Sequence, residues 1–228
     1  MAATEELFEF YKKVRIGCFD YKGCFDCCQG MGNSIILDPF DFYKLEKGLC
    51  TAPAQLLESY VSLNVNDGLI LPNLRMSGEE ERCVFLNEAG RCSIHGFRPG
   101  LCRLFPLGRN YENGKLAYFI LEGVCSGPGE RTKVRIEDWI GENSIERYES
   151  FLTDWHYYLK GIKEKTAALP DEAWESAVKT ASVNILEKFY LTPYDCKKNF
   201  YDQFYERLES VTLDGKFTAA FKEETESG

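Results

Sequence analysis

The chain has 228 residues, 44% of them hydrophobic and 14% aromatic, with a formal net charge of −9. That composition supports a packed core and excludes an intrinsically disordered chain. The acidic balance, without any Lys/Arg run, argues against nucleic acid or an anionic membrane as a partner.

The N-terminal stretch "MAATEELFEFYKKV" has neither the basic region nor the apolar region of a secretory leader. No apolar run approaches the roughly 18 to 20 residues needed to span a bilayer. The expected location is the cytoplasm. Helical spacing of Leu7, Phe8, Tyr11 and Val14 predicts a helix over Thr4 to Val14. Gly17 to Gly30, "GCFDYKGCFDCCQG", reads as a loop, and Ser34 to Asp38 as a short strand. Asp38-Pro39 then opens a helix to about Gly48, with Asp as N-cap and Pro at the first helical position. A further helix is predicted from Ala54 to about Asn64, opened by Thr51 and Pro53.

Between Asp67 and Cys125 short apolar runs alternate with turns. "NEAG" (Asn87 to Gly90) predicts a hairpin turn, and Asn113-Gly114 a second one. Beyond Arg135 the pattern is helical. Ile145, Tyr148, Phe151, Trp155, Tyr158 and Ile162 form one apolar stripe, which reads as core. Helices are also expected from Pro170-Asp171 to about Tyr190 and from about Tyr194 to Val211. The predicted fold is α+β: mainly helical, with a small antiparallel β section and a cysteine-rich metal-binding core. Residues 1–135 form the cysteine-cluster region, and 136–220 a helical region packed on it as one domain overall. Residues 221–228 form a frayed tail.

The chain has ten cysteines: Cys18, Cys24, Cys27, Cys28, Cys50, Cys83, Cys92, Cys102, Cys125 and Cys196. A reducing cytosol favours metal or redox chemistry over structural disulfides, and vicinal Cys27 and Cys28 suit a disulfide framework poorly. Cys24-x2-Cys27 has the spacing of a zinc or iron–sulfur knuckle. In an extended chain Cys28 points away from Cys27, which leaves open whether the pair serves one metal centre or two. Cys83 and Cys92 bracket the "NEAG" turn. Cys102 follows Arg98-Pro99-Gly100, and Arg98 and Arg103 flank it, where guanidinium would offset the negative charge of a thiolate-bound cluster. Cys92-x2-His95 also has zinc-ligand spacing, so His95 is a further candidate.

No Ser-His-Asp set, paired catalytic carboxylates or phosphate loop stands out. The glycines Gly123, Gly127 and Gly129 lack dinucleotide-loop spacing. Asp20 and Asp26 read as solvated turn residues, and His156 as an ordinary helical histidine.

These segments, from "GCFDYKGCFDCC" through "SIILDPFDFYKL", "CVFL" and "CSIHGFRPGLCRLFPLGR" to "GVCSG", resemble the bacterial and archaeal YkgJ or CxxCxxxxCC cysteine-cluster family of zinc- or iron-chelating proteins. The resemblance covers about half the chain. It implies that Cys18, Cys24, Cys27, Cys28, Cys83, Cys92, Cys102 and Cys125 are metal ligands, whereas Cys50 and Cys196 fall outside the pattern and read as buried thiols. The gap between Cys18 and Cys24 is longer than in the short form of the motif, and His95 stands where relatives carry Tyr. Relatives include a larger flagellin lysine methylase, which makes a methyltransferase role an analogy only.

The cofactor expected is an iron–sulfur cluster, 4Fe–4S favoured, or zinc. The function expected is a redox or catalytic iron–sulfur protein. The alternative is a structural zinc-binding interaction or metal-handling protein without catalysis, with a protein partner or protein substrate possible in either case. Whether the chain is an enzyme, and its oligomeric state, stay open at this point.

Overall fold

The computed structural model of the chain describes residues 6–17, 25–125 and 131–213. Its architecture is α+β, with helices dominating and four two-stranded antiparallel sheets around them. The predicted N-terminal helix is absent from the described part of its range. Phe8 instead forms an antiparallel bridge with Tyr118, and β1 runs Lys13–Gly17. Leu7 and Tyr11, the anchors of the helical reading, lie exposed. Val14 and Ile16 are buried between exposed Lys13 and Arg15, so a period of two prevails over a period of 3.6.

Ser34 to Asp38 is extended but not a full strand. Ile36 bridges Asn73, Leu37 N–H donates to the Pro72 carbonyl at 2.9 Å, and Leu74 N–H donates to the Ile35 carbonyl at 2.9 Å. Helix α1, Pro39–Leu49, begins where predicted. Its Asp38 cap is reciprocal: Asp38 accepts from Asp41 N–H at 2.8 Å, and Asp41 accepts from Asp38 N–H at 3.4 Å.

Helix α2, Pro53–Ser59, stops five residues short of the predicted end, and Val61–Asn66 is strand β2. The missed signal was a hairpin. Val61, Leu63 and Val65 alternate with polar residues, and Asp67 and Gly68 both adopt positive φ, 46° and 85°, in the two-residue turn to β3, Leu69–Leu74. Pro72 sits opposite Leu63, where its missing N–H costs no ladder bond and its carbonyl faces Leu37.

Strands β4 (Met76–Ser77) and β5 (Arg82–Cys83) are two residues each. The "NEAG" turn forms as expected, with Asn87 N–H donating to the Arg91 carbonyl at 3.0 Å, but its flanks pair only through the Leu86–Cys92 bridge. Helix α3, Gly100–Leu104, leads into the hairpin β6 (Leu107–Glu112) and β7 (Lys115–Ile120) around Asn113-Gly114. Strand β8, Thr132–Arg135, pairs with β1.

The remaining helices are α4 (Ile136–Ile140), α5 (Ile145–Ala167), α6 (Asp171–Leu186) and α7 (Phe200–Leu213). A π-helical turn, Glu187–Leu191, follows α6. The last helix starts six residues later than predicted because Asp195 and Asn199 fold residues 195–202 into side-chain-bonded turns, Asn199 accepting from Tyr201 N–H at 2.9 Å.

Every residue of the predicted α5 stripe is buried. It meets Phe40 and Tyr43 of α1, Phe189 and Tyr190 of the π turn, and Phe200 and Phe204 of α7 in one aromatic core. No described helix is long and apolar enough to cross a membrane. The predicted tail lies outside the described residues.

Candidate metal centre

Cys27 and Cys28 sit in a 3-10 turn, Asp26–Cys28, closed by Cys28 N–H donating to the Phe25 carbonyl at 2.7 Å. This turn answers the geometric objection to the vicinal pair. Side chains that would point apart in an extended chain here stand with sulfurs 3.8 Å apart. A tetrahedron with metal–sulfur arms of about 2.3 Å has edges of about 3.8 Å, so the pair has the separation that one metal ion requires.

The turn is tied to the next cysteine by backbone. Gln29 forms an antiparallel bridge with Arg82, and Gly30 N–H donates to the Glu80 and Glu81 carbonyls at 3.3 and 3.2 Å. That antiparallel sense sets Cys28 opposite Cys83. Gly30 has φ +68°, which lets the chain leave the turn.

Cys83 and Cys92 share a local device. The sulfur of Cys83 accepts from Phe85 N–H at 3.5 Å, and a backbone hydrogen bond from Ile94 acts on Cys92. Each is an N–H two residues downstream aimed at sulfur, which stabilises the thiolate that binds metal. Cys102 is buried on α3, close enough to feel the charges of Cys27, Cys83 and Cys92.

The titration behaviour follows from this packing. Hydrogen bonding from Cys28 brings Cys27 down to about 7 and Cys92 down to about 6, with the charge of Arg98 assisting both against burial. Cys28 is pushed up because its proton is shared with those two sulfurs and it is buried beside Cys83. Burial raises Cys83, and raises Cys102 further. The thiols are therefore graded, with Cys27 and Cys92 the readiest to ionise.

The two arginines divide. Half-buried Arg98 acts on Cys27 and Cys92. Arg103 is buried, and its guanidinium is engaged by Glu142, the Ile140 carbonyl at 3.1 Å and the Tyr148 hydroxyl at 3.4 Å. His95 is exposed at the start of the 3-10 turn His95–Phe97. Cys125 is half-buried beyond β7, and Cys18 and Cys24 lie outside the described residues. Cys50 and Cys196 are exposed, not buried. Cys50 occupies the left-handed C-cap of α1, where its side chain turns outward, and Cys196 lies in the turn before α7. Asp26 opens the 3-10 turn, and Asp20 falls outside the described residues. His156 stacks flat on Tyr111, ring centres 4.0 Å apart.

A cluster of charge that sequence reasoning missed lies behind Cys102. Asp38, Asp41, Arg103, Arg109 and Tyr148 are packed together, with Arg109 donating to the Tyr148 hydroxyl at 2.9 Å. Glu142 links Arg103 to Lys44, the latter at 2.9 Å. Asp38-x2-Asp41 is a readable capping box, but nothing local announces its partners some sixty and more residues away.

Among the described residues no three or more His, Cys, Asp or Glu side chains are already placed to hold a metal ion. In donor chemistry the residues do fit a thiophilic metal: thiols from segments distant in sequence lie near enough to act on one another, two of them readily ionised, with N–H groups and a guanidinium supporting negative sulfur.

What the structure defines is an α+β fold in which an aromatic core and four two-stranded antiparallel sheets position a set of neighbouring cysteines. Residues 18–125, a little under half of the chain, match the CxxCxxCC family model, described as "Putative zinc- or iron-chelating domain". No curated protein and no solved structure matches.

Proposed function

We propose that this chain holds an iron–sulfur cluster, 4Fe–4S favoured, with a redox or catalytic role. Its ligands are drawn from Cys27, Cys28, Cys83, Cys92 and Cys102 together with Cys18, Cys24 and Cys125. The observation that supports this most is the 3.8 Å approach of the Cys27 and Cys28 sulfurs, with Cys83, Cys92 and Cys102 from separate segments near enough for their charges to act on one another. A sulfur-only donor set of that size suits a cluster, whose four-thiolate form carries net negative charge. Arg98 offsets that charge beside Cys27 and Cys92, and Arg103 anchors α3 from behind.

A second reading, a structural zinc site without catalysis, has its own support. Strands β4 and β5 are too short to hold themselves, and a metal would staple them to the cysteine turn. In either reading the partner or substrate is a protein, the location cytoplasmic, and nucleic acid and membrane play no part.

Anaerobic purification with metal analysis and a visible spectrum decides between them. Brown protein with iron and sulfide supports the cluster. Colourless protein with stoichiometric zinc overturns it in favour of the staple, and protein without either metal overturns both.

A further inference from the structure

Helix α3 carries Cys102 but has only five residues, far too few to be stable alone. Its placement comes from outside. At its first residue Gly100 N–H donates to Asp41 Oδ1 at 2.6 Å, across 59 positions of sequence. Asp41 is 1% exposed, and its other oxygen faces Asp38 N–H. One carboxylate therefore ties the start of α1 to the start of α3.

The fit at Gly100 is close. A Cβ there would collide with the Tyr148 hydroxyl and stand 2.9 Å from the Arg109 guanidinium. A second contact lies just upstream, where Phe97 packs so tightly on Gly48 of α1 that a Cβ at Gly48 would overlap the ring. Helix α1, rooted in the aromatic core, thus grips the segment Phe97 to Cys102 at two points. A buried charge cluster is a poor source of net stability, but its hydrogen bonds hold what they touch in one orientation.

We infer that Asp41 is a positioning residue for the metal centre, its bond to the Gly100 amide fixing where α3 presents the Cys102 sulfur. This rests on the reading of Cys102 as a metal ligand. Groups that orient a ligand from behind typically contribute roughly 10- to 100-fold to metal affinity.

Titration of the full-length, metal-free, reduced protein with cobalt(II) tests it, read by the sulfur-to-cobalt charge-transfer band and by affinity. Asp41→Ala is expected to bind cobalt roughly 10- to 100-fold more weakly, with a weakened band. Asp41→Asn keeps an oxygen for Gly100 and is expected to retain the wild-type band, although it loses the charge facing Arg103 and Arg109. Tyr148→Phe disturbs the same cluster without touching the Asp41–Gly100 bond, and is expected to leave the band intact.

Asp41→Ala that binds like wild type, Asp41→Asn that is folded but has a weakened band, or Tyr148→Phe that loses as much as Asp41→Ala would each overturn the inference. Should Asp41→Ala not fold, the other two variants decide in the same terms. If the wild type itself shows no sulfur-to-cobalt band, it is the metal-site reading that fails.

Discussion

The aromatic core and the thiol site are built on opposite logics. Around Phe151 and Phe204, rings 4.7 Å apart and nearly perpendicular, the buried side chains are mostly aromatic, and apolar burial holds α1, α5 and α7 together. Around Cys27, Cys28, Cys83, Cys92 and Cys102 the buried and half-buried groups are polarisable and ionisable, and the backbone that carries them consists of a 3-10 turn, a two-residue strand, an isolated bridge and a five-residue helix. One region is held by packing among its own side chains, and the other is the region to which the proposed metal would be added. The lesson is one of order: the aromatic core supplies a rigid back wall, and the thiol segments hang from it through Gly48, Asp41 and Arg103.

The strongest way to break that comparison is to damage the core. Phe204→Ala should cost about 3–5 kcal/mol in chemical denaturation, since Phe204 is fully buried among Phe151, Trp155 and Phe189. The loss should be global, with thiol and helical regions unfolding together. A smaller and more local effect is expected from metal removal. At a hundredfold excess over its dissociation constant a bound metal contributes about 2.7 kcal/mol, which chelation withdraws. Hydrogen exchange should then quicken around residues 82–102 while the amides of α5 stay protected. Equal loss of protection in both regions would show that the two are one cooperative unit.

The regions also differed in how far their sequence could be read. The α5 stripe was legible because six apolar residues repeat at helical spacing and every one lands in the core. The start of α1 and the Asn113-Gly114 turn were legible because their chemistry is local. Reading failed where a local period met a distant partner. Val14 and Ile16 became strand because Thr132–Arg135, more than a hundred residues later, pairs with Lys13–Gly17, with a bulge at Ile16. Val61–Asn66 became strand because Asp67-Gly68 returns the chain upon it. The same limit hid the charge cluster, since Asp41, Arg109 and Tyr148 each pass for an ordinary cap or core residue until the fold brings them together. The family motif named the cysteines, but only the structure shows the vicinal pair held in a 3-10 turn with its sulfurs 3.8 Å apart.

Between the two regions sits Asn73, fully buried, which donates to the Asn33 carbonyl and accepts from Asn66 at 3.1 Å. Asn73→Ala should cost about 1–3 kcal/mol, because it removes a fully buried side chain together with its hydrogen bonds to Asn33 and Asn66. Unchanged stability in urea would mean that the extended segment at Ser34 to Asp38 is held by its backbone bonds alone.

The charged cluster should impose a pH dependence, reduced because arginines offset part of its cost. Burial first, then the charge of Asp41, raises Asp38 to about 7 against the pull of Arg109 and Arg103, with Tyr111, Tyr148, Tyr190, Tyr194 and Tyr201 also within reach of its charge. The folded protein then holds a proton that the unfolded chain has released. Unfolding free energy should therefore fall as pH rises from the ordinary carboxylate range through about 7. Asp38→Asn keeps the side-chain oxygen of the cap and should flatten that slope, whereas a slope unchanged in the variant would assign it to other groups.

The smallest effect tests whether the aromatic core needs any electrostatic help. Arg147 on α5 pairs with Asp202 on α7 at 2.7 Å, and its guanidinium lies over Tyr201, 5.1 Å from the ring centre. Both charged side chains are largely exposed, so water and salt screen the pair. Asp202→Asn removes the charge but leaves the Arg147–Tyr201 stack, and should cost no more than about 1 kcal/mol, vanishing in high salt. A larger, salt-independent loss would mean that α7 docks on α5 partly through this contact, and that the core is less self-sufficient than its interlocked rings suggest.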